Sequence, residues 1–257
     1  MGERGALRRR RLIVVSLVTL MGVLALAFAL FRISRARCFS LGGEAICRVD
    51  TDQPLVALTL DDGPTADGTP WALSTLRRYR AHATFFLIGA SVASQEALVR
   101  QILADGNEVG NHSFTHVRMV GHSAGFYDSE IMRTDAALRR AGVPDPHLFR
   151  PPYGKKLLGL PRALARHDYR MIMWDVEDPA GAATPEAYAA EVVRQAGPGS
   201  IILMHVMYRG NRIAKAALPL VLQGLEARGF RVVTAGELLL RGRPVPGDRK
   251  SASLRPS

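Results

Sequence analysis

Two carboxylates stand side by side in Leu58-Thr59-Leu60-Asp61-Asp62-Gly63-Pro64, at the end of an apolar run and against a Gly-Pro stop. Like charges this close drive their pKa values apart, which lets one carboxylate serve as a base while its neighbour stays an anionic ligand. Asp-Asp-Gly is also ordinary turn chemistry, so the pair takes its meaning from the rest of the chain. His112-Ser-Phe-Thr-His116 sets two imidazoles four residues apart. If the chain turns helical there, both rings leave one face and can share a metal ion. With Asp62 they form a two-histidine, one-carboxylate set, which leaves open positions for water and a substrate oxygen.

Two further segments carry polar groups suited to the same reaction. In Phe149-Arg150-Pro151-Pro152-Tyr153-Gly154 the consecutive prolines hold the backbone extended, so the Tyr153 N–H can be fixed toward a reacting carbonyl oxygen. Arg150, if buried, needs a carboxylate. Ile201-Ile-Leu-Met-His205 is an apolar run that delivers a histidine, a group suited to protonating a leaving group near neutral pH. His82, His122, His147 and His167 have no such partners and read as ordinary residues.

These residues need a scaffold that gathers them. Apolar, β-rich runs at 55–60, 83–88, 107–112, 147–151, 169–176, 200–206 and 230–234 predict seven strands. Helical patterns lie between them, near 70–80, 91–105, 127–141, 157–168, 185–196 and 212–228. Such alternation implies parallel strands with right-handed crossovers, in an open doubly wound sheet or an irregular closed barrel. Asp61, Asp62, His112, Arg150, Asp175, Glu177 and His205 all fall at or just past predicted strand ends, the catalytic face of an α/β barrel. No Gly-x-Gly-x-x-Gly or Walker-type loop follows the first strand, so no nucleotide cofactor is expected.

The ordered set Thr59-Leu-Asp-Asp-Gly-Pro64, His112-Ser-Phe-Thr-His116, Arg150-Pro-Pro-Tyr153 and Leu203-Met-His205 resembles the polysaccharide deacetylases, the nodulation-type chitooligosaccharide deacetylase domains of carbohydrate esterase family four. The resemblance runs over about residues 54–240. It implies a deformed (β/α) barrel that removes N-acetyl groups from N-acetylglucosamine polymers or oligomers. By the same match Asp62, His112 and His116 would bind one divalent metal, commonly zinc, and Asp61 would be the general base for the attacking water. His205 would be the general acid, Tyr153 the oxyanion donor and Leu203 part of the acetyl pocket, with Pro152 and Trp174 expected beside it. The family's Asp-x-x-Asp-Trp segment reads Trp174-Asp175-Val176-Glu177-Asp178-Pro179-Ala180-Gly181 here. Glu177 replaces the first aspartate and is expected to pair with Arg150, and so to orient Asp61. The second aspartate and the tryptophan fall on Ala180 and Gly181.

Outside this domain, Leu12 to Phe31 is uncharged over a length that crosses a bilayer core, with Arg8, Arg9, Arg10 and Arg11 before it. That asymmetry predicts a membrane anchor at residues 12–31 within a 1–37 segment, an N-terminus in the cytoplasm and a catalytic body outside it. Ala25-Leu-Ala27 and Ala27-Phe-Ala29 are small-x-small patterns that keep a cleaved signal and a secreted product open. Residues 38–53 read as a stalk, in which Cys38 and Cys47 form a disulfide, and residues 241–257 as a basic disordered tail. The net charge of +11 lies in the ends. Eight arginines oppose one glutamate in residues 1–37, and five basic residues oppose Asp248 after residue 240. Residues 38–240 are neutral and lack the basic footprint of a nucleic-acid partner. The expected partner is an N-acetylated glycan, and the expected activity a metal-dependent amide hydrolysis. A non-catalytic glycan-binding or envelope protein on the same scaffold is the alternative. A non-haem iron oxygenase shares the donor set but has no use for Asp61 and His205.

Overall fold

The computed structural model describes residues 2–246. Helix α1 (Gly2–Arg35) is followed by β1 (Ala45–Asp50), β2 (Leu55–Gly63), α2 (Gly68–Arg78), β3 (Thr84–Leu87), α3 (Gly89–Ser94), α4 (Glu96–Ala104) and β4 (Glu108–Asn111). Then come α5 (Ala124–Arg140), β5 (Leu148–Phe149), α6 (Gly159–Arg166), β6 (Arg170–Ile172), α7 (Pro185–Gln195), β7 (Ile201–Met204), α8 (Arg212–Ala227), β8 (Arg231–Val233), α9 (Ala235–Leu240) and β9 (Arg243–Pro246). The strands run in the order β7-β2-β3-β4-β5-β6-β1-β9, and β8 pairs with the first half of β2. All pairs are parallel except β1 with β9. The sheet curls until Val176, just past β6, meets Ile202 of β7, so the result is a deformed barrel with helices around it.

Burial on both faces explains the uninterrupted apolar run of β2. Its alternation separates two cores. Val56, Leu58 and Leu60 pack under α2, α7 and α8, while Leu55 and Ala57 face Phe86, Phe149 and Leu203 in the interior. The period of two therefore aims Thr59 and Asp61 into the barrel.

The stalk and the tail take part in this fold, contrary to the expected boundaries. Residues 45–50 form β1 beside β6 because Ile46 and Val49 are fully buried in the interior core. Residues 243–246, expected in a disordered tail, add β9 antiparallel to β1. Pro244 and Pro246 have no N–H to donate, which suits an edge strand. Residues 247–257 of the expected tail lie outside the described residues.

Helix α1 is long and apolar enough to cross a membrane, and its apolar side chains are exposed. The segment that follows it is held to the body. Lys156, fully buried, donates to the Ala36 and Arg37 carbonyls at 2.7 and 2.9 Å. Burial, then Lys155 and Arg37, pull that ammonium down to about 8. Cys38 and Cys47 are joined, with Cα atoms 5.5 Å apart.

Candidate active site

Adjacent strand residues normally point to opposite faces, yet Asp61 and Asp62 both enter the site. The pairing of β2 with β3 explains this. Asp61 sits opposite Phe86 and Gly63 opposite Leu87, so Asp62 is an extra residue in the ladder, with φ at 74°. The bulge swings the second carboxylate round to the face of the first. Asp62, His116 (φ 57°) and Tyr153 (φ 57°) all lie in the left-handed region, and such strain gathers where a site over-determines its side chains.

The two histidines are brought together by a loop, where a helical turn was expected. His112 follows β4 directly. Ser113 then adopts a φ of 63°, its N–H bonded to Asn111 Oδ1 at 2.9 Å, and its hydroxyl accepts the His116 N–H at 3.1 Å. Buried Glu130 on α5 clamps the loop, accepting from Phe114 N at 3.0 Å, Thr115 N at 2.8 Å and Thr115 Oγ1 at 3.0 Å. The result sets His112 Nε2 at 3.5 Å and His116 Nε2 at 3.1 Å from Asp62 Oδ1. One donor atom from each of the three lies within 4.8 Å of the others. Burial pushes the Asp62 carboxyl up, but His112 and His116, with His205 behind them, hold it well below the usual carboxylate range.

Arg150 is fully buried at the end of β5. Its Nη1 donates to Asp61 Oδ1 at 2.8 Å and Thr59 Oγ1 at 2.7 Å, its Nε to Ile172 O at 3.1 Å and its Nη2 to Met173 O at 3.0 Å. Burial lowers the guanidinium's pKa against the pull of Asp61. The expected Glu177–Arg150 pair is therefore absent. Asp61 itself compensates Arg150, and the Thr59 hydroxyl and two backbone carbonyls accept its other hydrogen bonds. Glu177 turns outward to Arg37 and accepts Trp174 Nε1 at 2.8 Å. Asp175 is also committed elsewhere, to Arg48 at 3.2 Å, Ser200 Oγ at 2.9 Å and the Ile201 N–H at 2.8 Å.

His205 leaves the end of β7 and gives its Nδ1 to Asp178 Oδ2, while Nε2 lies 4.0 Å from Asp62 Oδ2. Burial pushes the imidazole down, but Asp178, Asp61 and Asp62 together raise it to about 9. Asp178 was not among the residues singled out for this site, nor was Tyr188 of α7, whose hydroxyl donates to Asp178 Oδ1. The sequence signal for Asp178 was a carboxylate two residues ahead of the vacant Ala180 position. Tyr188 carried no signal beyond a buried aromatic on a helix.

Asp61, Asp62, His112, His116, Tyr153, Trp174, Glu177, Asp178, Leu203 and His205 line one cavity of about 230 Å³. Pro151 lines it, where Pro152 was expected. Gly154 must be glycine, because a Cβ there would come 2.9 Å from the Trp174 ring at a φ of +64°. A wider groove of about 1040 Å³ opens beside Asp62, Asp178 and His205.

A model of the polysaccharide deacetylase family matches residues 48–172. A peptidoglycan-N-acetylglucosamine deacetylase of Bacillus cereus is 34% identical over 200 residues, covering 77% of this chain and 93% of that protein. The chain belongs to the polysaccharide deacetylase family. A second relative, the peptidoglycan-N-acetylmuramic acid deacetylase PdaC of Bacillus subtilis, is 34% identical over 194 residues, 74% of this chain but 40% of its own length. Among solved structures, a family-four pseudoenzyme from Bacillus anthracis matches with a TM-score of 0.69 at 28% identity, over 77% of this chain and 70% of its own. This polysaccharide deacetylase family member thus shares its fold with catalysts and with a non-catalyst, and the site residues must decide between them.

Proposed function

We propose that the chain is a metal-dependent hydrolase that removes N-acetyl groups from N-acetylglucosamine-containing glycans of the cell wall, peptidoglycan being the substrate class. The observation that carries this reading is a pair of separately oriented proton carriers around one donor set. Asp61 is tied to Arg150, and His205 to Asp178, beside Asp62, His112 and His116. The donor set fits a divalent cation. Among the described residues, Asp62 Oδ1 is buried without a hydrogen-bond partner. His112 Nδ1 lies 2.8 Å from the Arg150 carbonyl, which assigns the proton to Nδ1 and leaves the Nε2 lone pair facing Asp62. Nitrogen and oxygen donors of this kind suit zinc or a similar ion. Such an ion, when bound, supplies Lewis-acid polarisation of the acetyl group.

The residues of the chain then divide the work. Asp61 takes a proton from the attacking water, its carboxylate aimed by Arg150. The Tyr153 N–H, presented by the 3-10 turn Pro152–Gly154 where an extended backbone was expected, donates to the oxygen on which negative charge develops. As the carbon–nitrogen bond breaks, its electron pair stays on nitrogen, which receives the proton from His205 Nε2. The amine departs and acetate remains. Leu203 and Trp174 enclose the acetyl methyl and keep further water out. With α1 as its anchor, the body works outside the cytoplasm, where a Cys38–Cys47 bridge persists.

Acetate release from peptidoglycan fragments and chitin oligomers, with and without a chelator, tests the reading. Asp62→Ala, His112→Ala and His116→Ala should lose metal and activity together. Asp61→Asn and His205→Ala should keep the metal and lose turnover. If the metal-loaded chain releases no acetate from any of these glycans, it is instead a glycan-binding relative of the pseudoenzyme.

A further inference from the structure

Asp178 sits in an awkward place for a group that must hold an imidazole. It begins the loop 178–184, in which Ala180, Gly181, Ala183 and Thr184 are exposed, and its own side chain is about one-third exposed. A carboxylate there, left to itself, samples several rotamers, and each one that releases His205 Nδ1 also frees the ring to turn. The loop has no tryptophan to wall it in, and nothing lies within 4 Å of the Cβ position at Gly181.

The rigid element nearest to it is α7. Thr184 caps this helix by accepting the Ala187 N–H, Pro185 opens its first turn, and Tyr188, Ala189 and Val192 are buried in the core shared with α8. Tyr188 is 4% exposed, and its hydroxyl is the polar group that this face of α7 sends toward the site. It donates to Asp178 Oδ1, the oxygen that the His205 ring does not use. Burial, and then Asp178, raise the phenol above its ordinary pKa, so it remains a donor throughout the working range. The His205 backbone N–H also lies 3.4 Å from Oδ1.

Resting on the reading of His205 as the acid, we infer that Tyr188 is a positioning residue for it. The phenol fixes one oxygen of Asp178, so that the other holds His205 Nδ1–H and keeps Nε2 turned toward the leaving nitrogen. A carboxylate two residues ahead of the family's usual position is thereby made to serve. Tyr188 transfers no proton and touches no reacting atom.

The test is a double-mutant cycle on the metal-loaded full chain, read as kcat and KM for deacetylation of a peptidoglycan fragment. Tyr188→Phe removes one hydroxyl and keeps the ring in the core. It should lower kcat about tenfold, the size of one hydrogen bond to a charged group, with KM and bound metal unchanged. Asp178→Asn should cost more, and adding Tyr188→Phe to it should cost less than a further twofold. Three results would overturn the inference: an unchanged kcat in Tyr188→Phe, a raised KM at constant kcat, which would make the phenol a substrate contact in the wide groove, or a full tenfold loss in the Asp178→Asn background, which would make its role purely structural. His205→Ala separates this from the reading beneath it. If that variant keeps amide turnover, the acid assignment fails and takes the inference with it. If it loses turnover while Tyr188→Phe matches the wild type, the inference alone falls.

Discussion

Arg150→Met removes a guanidinium that no water reaches and leaves the Asp61 carboxylate, itself 2% exposed, without its cation. Truncating one partner of a buried pair costs about 3–5 kcal/mol, because the surviving charge has nothing to offset its lost hydration. The carbonyls of Ile172 and Met173 also lose their donor, which pushes the value toward the upper end. Adding Asp61→Asn removes the stranded charge, so the double variant should recover about 2 kcal/mol relative to Arg150→Met alone. Glu177→Gln is the control. Its partner Arg37 is also partly exposed, and such pairs contribute no more than about 1 kcal/mol. Urea unfolding of the chelated chain in detergent, followed by tryptophan fluorescence, measures all three, and Trp174 lies 5.4 Å from the guanidinium. A loss below about 1 kcal/mol in Arg150→Met, or a double variant no more stable than the single, would refute the pairing. So would a Glu177→Gln loss as large as that of Arg150→Met.

Other outcomes follow from the same geometry. In chelated protein His205 should hold its proton up to about pH 9, observed by NMR of its ring. Because that pKa is raised above the unfolded 6.5, its contribution to stability should be complete below pH 6.5 and fade as pH rises through 9. Glu130→Gln keeps the side chain's shape but removes the charge that clamps the Phe114–Thr115 backbone, so metal affinity measured by competition with a chelator should fall about 10–100-fold. Cys38 and Cys47 should resist maleimide until reduced, and an export-dependent reporter enzyme fused at Ser257 should be active. A reporter that works only in the cytoplasm would overturn the orientation.

The seven expected strands and the polar residues at their ends were legible because burial on both faces writes long apolar runs, and because strand ends are where a barrel gathers its chemistry. Residues 45–50 and 243–246 misled for a different reason. Ala45–Asp50 is six residues long and Arg243–Pro246 contains two prolines, so each becomes a strand only through the neighbour it pairs with. The same holds at the site. Asp61, Asp62, His112, His116, Arg150 and His205 announce themselves by motif. Whether Arg150 meets Glu177 or Asp61 depends on which face of β2 looks inward. Glu130 and Tyr188 act across turns or between elements, through contacts that no local spacing records.

The clamp on residues 36–38 separates two properties that might be thought to go together. Three attachments of the segment to the body, from Lys156 to the Ala36 and Arg37 carbonyls, from Arg37 to Glu177 and from Cys38 to Cys47, lie beyond the end of α1. A peptidase cutting at Ala27 or Ala29 would release the helix and leave each of these attachments in place. Whether the chain stays tethered or diffuses away is thus decided upstream of everything that shapes the reaction. On the proposed reading, one body serves as a resident of the membrane surface or as a released enzyme, with the same chemistry in both.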